Sequence, residues 1–117
     1  MTRSKRETYG ELTRRVREEK EFGLREFAKM IGVSPTYLSQ VERGELPPPA
    51  EGRVVKTAEL LDLDKDELLA LAGRVATDLE DIIREKPKGA ADLLRHVKDM
   101  SAKQLSDLVK KLDKGTK

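Results

Sequence analysis

Leu24-Arg25-Glu26-Phe27-Ala28-Lys29-Met30-Ile31-Gly32-Val33-Ser34-Pro35-Thr36-Tyr37-Leu38-Ser39-Gln40-Val41-Glu42-Arg43-Gly44 is the stretch on which the reading of this chain turns. Its apolar positions are Phe27, Ile31, Val33, Leu38 and Val41. Phe27 and Ile31 lie four apart and share one helix face; Leu38 and Val41 lie three apart and share another. Between them Gly32 can take a positive φ and end the first helix. Ser34-Pro35 restarts helix, because the serine hydroxyl caps free N–H groups and proline suits the first helical turn. Ala28 falls where the two helices would cross, and a larger side chain there would push them apart.

Two short helices joined by a three-residue turn, Gly32-Val33-Ser34, and meeting at a steep angle have the geometry of a helix-turn-helix. Residues 9–72 resemble the phage repressor/Cro-type helix-turn-helix domain, the XRE family. Tyr9-Gly10-Glu11 through Arg17-Glu18-Glu19-Lys20 resembles the family's first helix. Val41-Glu42-Arg43-Gly44 matches the usual end of its recognition helix. Leu60-Leu61-Asp62-Leu63-Asp64-Lys65-Asp66-Glu67-Leu68 matches the junction of its fourth and fifth helices.

The resemblance implies a third helix that enters the major groove by its N-terminal end. Ser34 opens that run, and Pro35, Thr36, Ser39 and Gln40 fall at groove-facing positions. The Gln40 amide can donate to and accept from adenine, and Thr36 offers a hydroxyl and a methyl. Pro35 has only apolar contact to give, and the short Ser39 side chain can act through water. Tyr37 and Arg43 are implied phosphate contacts that set register. The family's usual glutamine at the start of helix two is Leu24 here, so that phosphate contact is either lost or supplied by the charge of Arg25. Arg17 and Glu42 are implied to form a structural ion pair between helix one and the end of helix three.

Composition sets limits around this reading. The chain has 117 residues, no cysteine, no tryptophan and one histidine. That excludes a disulfide framework, a cysteine-based metal site and a thiol nucleophile, and suits a reducing cytoplasm. No run of about 18 apolar residues offers a membrane span, and the basic start, Met1-Thr2-Arg3-Ser4-Lys5-Arg6, lacks the apolar core of a signal peptide. His96 has no second histidine at ligand spacing, and no glycine-rich phosphate loop occurs. No catalytic residue, metal or cofactor is therefore expected. The net charge is only +2. Residues 1–20 nevertheless carry seven Lys/Arg against four Glu, whereas residues 51–117 carry fourteen of each sign. The basic excess thus lies beside the helix-turn-helix, where Arg3, Lys5 and Arg6 are either a solvated tail or an arm that touches DNA.

Periodicity and capping signals predict an all-α chain of about eight helices. The first five form the repressor/Cro-like domain, residues 1–73 with a basic arm over 1–8. Helix one, near 7–20, turns Tyr9, Leu12 and Val16 inward. The loop Gly44-Glu45-Leu46-Pro47-Pro48-Pro49 stiffens the exit from helix three. Val54, Val55, Ala58 and Leu61 of helix four, and Leu68, Leu69 and Leu71 of helix five behind its Asp64 cap, complete the core.

Residues 74–117 are expected to form a three-helix segment. Thr77-Asp78-Leu79-Glu80 and Ser101-Ala102-Lys103-Gln104 are capping boxes, and Pro87 starts the helix between them. The apolar stripes are Leu79, Ile82 and Ile83; Leu93, Leu94 and Val97; and Leu105, Leu108, Val109 and Leu112. About 40 residues are too few to bury such stripes alone, so they need the first domain or another chain, with a homodimer expected.

The main reading is a homodimeric operator-binding repressor. An alternative is an antitoxin that holds a partner toxin through these helices and binds its own operator. A third follows from a loose resemblance of the helical tail to DdrO-type repressors, which implies inactivation by a partner metalloprotease, with Leu94-Arg95 as a candidate cut.

Overall fold

Thr8 and Ser34 each place a side-chain oxygen at a helix start, and each helix begins where that oxygen takes up a free N–H. In the computed structural model, which describes residues 7–115, Thr8 accepts from Glu11 N–H at 3.1 Å while Glu11 reaches back to Thr8 N–H at 3.0 Å. This capping box opens α1, Tyr9–Glu19. Six further helices and α3 follow in order: α2 Leu24–Ile31, α3 Pro35–Glu42, α4 Glu51–Leu61, α5 Lys65–Leu71, α6 Thr77–Glu85, α7 Pro87–Val97 and α8 Ala102–Gly115. Among the described residues all regular structure is helical. The fold class is therefore all-α, as the periodicity predicts. The basic positions Arg3, Lys5 and Arg6 lie outside the described residues.

The chain divides into two compact units, with the boundary between Ala76 and Thr77. The first unit holds α1–α5 around two adjoining apolar clusters. One gathers Tyr9, Val41, Val54, Ala58, Leu68, Leu69 and Ala76. The other gathers Val16, Phe27, Ala28, Ile31, Leu38 and Leu61. The predicted faces of α2 and α3 supply much of this core. Ala28 is wholly buried where the two helices meet, and Phe27 is 1% exposed. Burying a side chain of that size contributes roughly 2–3 kcal/mol. Three of the expected core positions fall short of it, because Leu12, Val55 and Leu71 are half-buried at the margin of the first cluster. Thr57, a polar residue, takes the inward place on α4; its hydroxyl donates back to the Arg53 carbonyl at 2.7 Å, which makes its burial tolerable.

Non-local polar bonds fasten this unit. Arg17 donates from Nε and Nη2 to both carboxylate oxygens of Glu42, at 2.8 and 3.0 Å, and from Nη1 to the Phe22 carbonyl at 2.7 Å. Arg74 donates to the carbonyls of Pro48 and Pro49 and so ties the proline-rich exit of α3 to the end of α5. Gly10 sits against the last turn of α3. A Cβ built there would stand 2.5 Å from the carbonyl oxygens of both Val41 and Glu42, so only glycine lets α1 approach this closely.

The second unit is built differently. α6 and α7 are in contact. Ser101 opens α8 with a complete capping box, accepting from Gln104 N–H at 3.1 Å while Gln104 accepts from Ser101 N–H at 2.8 Å. None of the described residues of this unit is buried.

Candidate nucleic-acid interface

The turn between α2 and α3 fixes the geometry of the candidate site. Gly32 has φ 80°, a left-handed conformation that costs glycine little. This closes α2 by returning its own N–H and that of Val33 to the Lys29 and Ala28 carbonyls. Arg53 of α4 then donates to the Ile31 and Gly32 carbonyls, both at 3.1 Å. A cation at the C-terminal end of a helix satisfies carbonyls that lack an intrahelical partner and suits the helix dipole. The sequence pattern does not show this role, because Arg53 lies more than twenty residues along the chain from its partners. Ser34 caps α3, accepting from Tyr37 N–H at 3.0 Å, and Pro35 occupies the first turn.

From that start, Thr36, Ser39, Gln40 and Arg43 recur at helical spacing along one side of α3, opposite the buried Leu38 and Val41. Thr36 and Arg43 are exposed; Ser39 and Gln40 are half-buried and carry no charge. Pro35 is half-buried beside the exposed Ser34. Tyr37 is also half-buried and packs against the first apolar cluster, so its ring serves the core as well as the surface.

The cationic positions are spread around this face. Arg25 is exposed on the first turn of α2. Leu24 packs against the second cluster, where its apolar side chain belongs. Arg14, Arg17, Leu24, Ser39, Glu42 and Arg43 line a recess of about 190 Å³ between the ends of α1, α2 and α3. Arg17 and Glu42 thus come together as a buried pair at the floor of the face. The hydrogen bonds that Arg17 donates to the Glu42 carboxylate raise its guanidinium above its ordinary pKa and hold it ionised. Arg14 joins the recess although no motif marks it; its partner is Glu18, one turn along α1, at 3.3 Å. Arg43 is already engaged, with Glu45 and with Ser39.

His96 lies in the second unit, exposed, with Nδ1 2.9 Å from the Asp92 carbonyl. Among the described residues no group of three or more His, Asp or Glu is placed to hold a metal ion. None of the described helices is long and apolar enough to cross a membrane.

A glycine-turned helix pair, capped at both joints and presenting short uncharged side chains between scattered arginines, defines a helix-turn-helix protein. The chain belongs to the helix-turn-helix domain family, whose model matches residues 8–71, more than half its length. It carries this helix-turn-helix domain in its first unit. No curated protein matches it. Among solved structures, the chain is similar to SinR, the master regulator for biofilm formation, in complex with DNA. That match has 32% identity over 53% of this chain and 98% of the other, with a TM-score of 0.48. It is also similar to a complex of SinR protein with SinI protein, at 23% identity over 91% of this chain and 95% of the other, with a TM-score of 0.50, a likeness of fold.

Proposed function

We propose that this protein is a homodimeric repressor that acts in the cytoplasm by occupying an operator. The first unit, up to Ala76, reads DNA, the second, from Thr77, joins the two copies, and no catalysis is involved. The observation that carries the proposal is the uncovered apolar surface of the second unit. Leu79, Ile82, Ile83, Leu93, Leu94 and Leu112 are between 38% and 56% exposed, and Val97, Leu105 and Leu108 are half-buried. A patch of this kind on three amphipathic helices marks an interaction surface. A second copy of the same surface covers it symmetrically.

Dimerisation also supplies what one reading helix lacks. One helix in one groove contacts few base pairs, whereas two modules on a symmetric dimer read half-sites about one DNA turn apart, or a multiple of it. In each module Gln40 pairs with adenine, Thr36 and Ser39 meet neighbouring base edges, and Pro35 makes apolar contact. Ser34, Tyr37, Arg25 and Arg43 approach phosphates, and these contacts make binding sensitive to salt.

The test compares the full chain with residues 1–76 by mobility shift on the DNA upstream of its own gene, and by mass in solution. Ending at Ala76 keeps the first unit's buried core whole. The full chain is expected to run as a dimer and to shift the DNA at much lower concentration than the truncated form. Equal mass per particle and equal affinity for the two would refute the dimer.

A further inference from the structure

Arg43, the cation at the end of the reading helix, does not stand free. Gly44 follows it with a left-handed φ of 78°, and the next residue, Glu45, returns its N–H to the Gln40 carbonyl at 2.8 Å. That bond pins the backbone of Glu45 against the last turn of α3. From there both carboxylate oxygens of Glu45 accept from Arg43, from Nε and Nη2, each at 3.0 Å. Nη1 donates to Ser39 Oγ at 2.8 Å. All three guanidinium nitrogens are thus engaged within the protein.

A carboxylate that takes the paired Nε–H and Nη2–H sits where a phosphate would take them, since both anions fit the planar fork by two parallel bonds. The two N–H groups left over, one on each terminal nitrogen, can still reach an oxygen. The guanidinium then meets the phosphate with a carboxylate beside it and little net charge to offer. The hydrogen bonds from Arg43 hold the Glu45 carboxyl below the usual carboxylate range, so it is ionised at neutral pH. The two side chains keep 51% and 53% of their surface exposed. Water therefore screens the pair, and a phosphate can displace the carboxylate. Arg25, by contrast, is exposed at the start of α2 and has no ion pair among the described residues.

We propose that Glu45 competes with the DNA backbone for Arg43, and so acts as a built-in brake on phosphate binding at the end of the reading helix. Each copy must open the Arg43–Glu45 pair to gain the full contact. Affinity is lowered for every duplex alike, because phosphate contacts carry no sequence information. The brake rests on α3 reading double-stranded DNA with Arg43 at a phosphate, as proposed above.

The experiment measures binding of the full-length protein to the DNA upstream of its own gene, and to an unrelated duplex, over a range of salt concentrations. It compares the wild type, Glu45→Gln, Arg43→Gln and the double variant. Glu45→Gln is expected to bind both duplexes more tightly, by about threefold per copy, the scale of an exposed ion pair. Its salt dependence steepens by up to about 0.9 in log–log slope per copy. Most of that gain disappears in the Arg43→Gln background, so Arg43→Gln costs more affinity when residue 45 is uncharged than in the wild type. In an Arg25→Gln background the gain persists in full. An equal gain with and without Arg43 would mean that the carboxylate acts only by its charge at a distance, and would overturn the proposal; so would no gain at all. If Arg43→Gln alters neither affinity nor salt slope in either background, the phosphate contact of Arg43 is itself wrong, and the brake with it. Both side chains are exposed, and unchanged melting of the variants establishes that they fold.

Discussion

Gly10, Arg17 and Glu42 hold α1 against the reading helix, and each makes a different kind of demand. Gly10 must lack a side chain. Gly10→Ala drives a methyl into two backbone carbonyls and is expected to cost about 1–3 kcal/mol, the range for overpacking, measured by urea denaturation. Arg17 and Glu42 must be kept or lost together. Arg17→Met strands a carboxylate that is 7% exposed and should cost roughly 3–5 kcal/mol. The double variant Arg17→Met, Glu42→Leu should recover much of that loss. An unchanged melting temperature for Arg17→Met would contradict the pair's structural role.

Tyr9 gives the same packing a pH signature. Burial pushes its phenol from the ordinary 10.0 up to about 12, while the Thr57 side chain, which favours the ionised form, offsets only part of the rise. A raised folded-state pKa means that the neutral form is favoured by folding. The stabilisation it brings is whole below pH 10 and disappears as the pH climbs through about 12. In a Tyr37→Phe variant Tyr9 is the one remaining tyrosine of the two. Its tyrosinate absorbance should then appear late, together with loss of helix. The positions of Arg17 and Glu42 were legible only through family resemblance. The need for Gly10 was not legible, since it depends on two carbonyls more than thirty residues away.

At the scale of elements, helix starts were easier to read than helix ends. Ser34, Asp64 and Ser101 are short-range signatures, and each side-chain cap forms as its spacing requires. The same signature stands at Thr8 and Glu11, and reading it would have placed the start of α1 correctly. Helix ends depend more on distant partners. Arg53 closes α2 from another helix. Asp62 ends α4, and Glu21 follows α1, in left-handed conformations without glycine, at φ 58° and 64°. Such residues cost about 1 kcal/mol relative to glycine. Glu21→Gly, at an exposed position without a cap role for its side chain among the hydrogen bonds found, should therefore raise the melting temperature by a few degrees for a domain of this size. A fall would show that the Glu21 carboxylate does something the backbone geometry does not reveal.

Over the whole molecule the two units differ in how complete each one is. The first buries its apolar residues in two clusters. The second, from Thr77 onward, buries none among the described residues. Sequence periodicity could identify apolar stripes in both, because a stripe is a local pattern. It could not tell which stripe finds cover, since that depends on tertiary packing. The uncovered faces of α6, α7 and α8 are where the homodimer proposal makes its demand: replacing Ile82 and Leu93 by glutamate should produce a monomer that keeps the fold of the first unit. Sedimentation of that variant at micromolar concentration reads the result.

In the proposed homodimer two copies of α3, held by those helices, read DNA together. Hydroxyl-radical footprinting of the full-length protein on the DNA upstream of its own gene tests it most directly. Two protected patches are expected, with centres about one helical turn apart, or a whole multiple of it, both lost in Gln40→Ala or in the Ile82 and Leu93 variant. A single patch that survives in the monomeric variant, or no protection at any concentration at which the protein is folded, would contradict it.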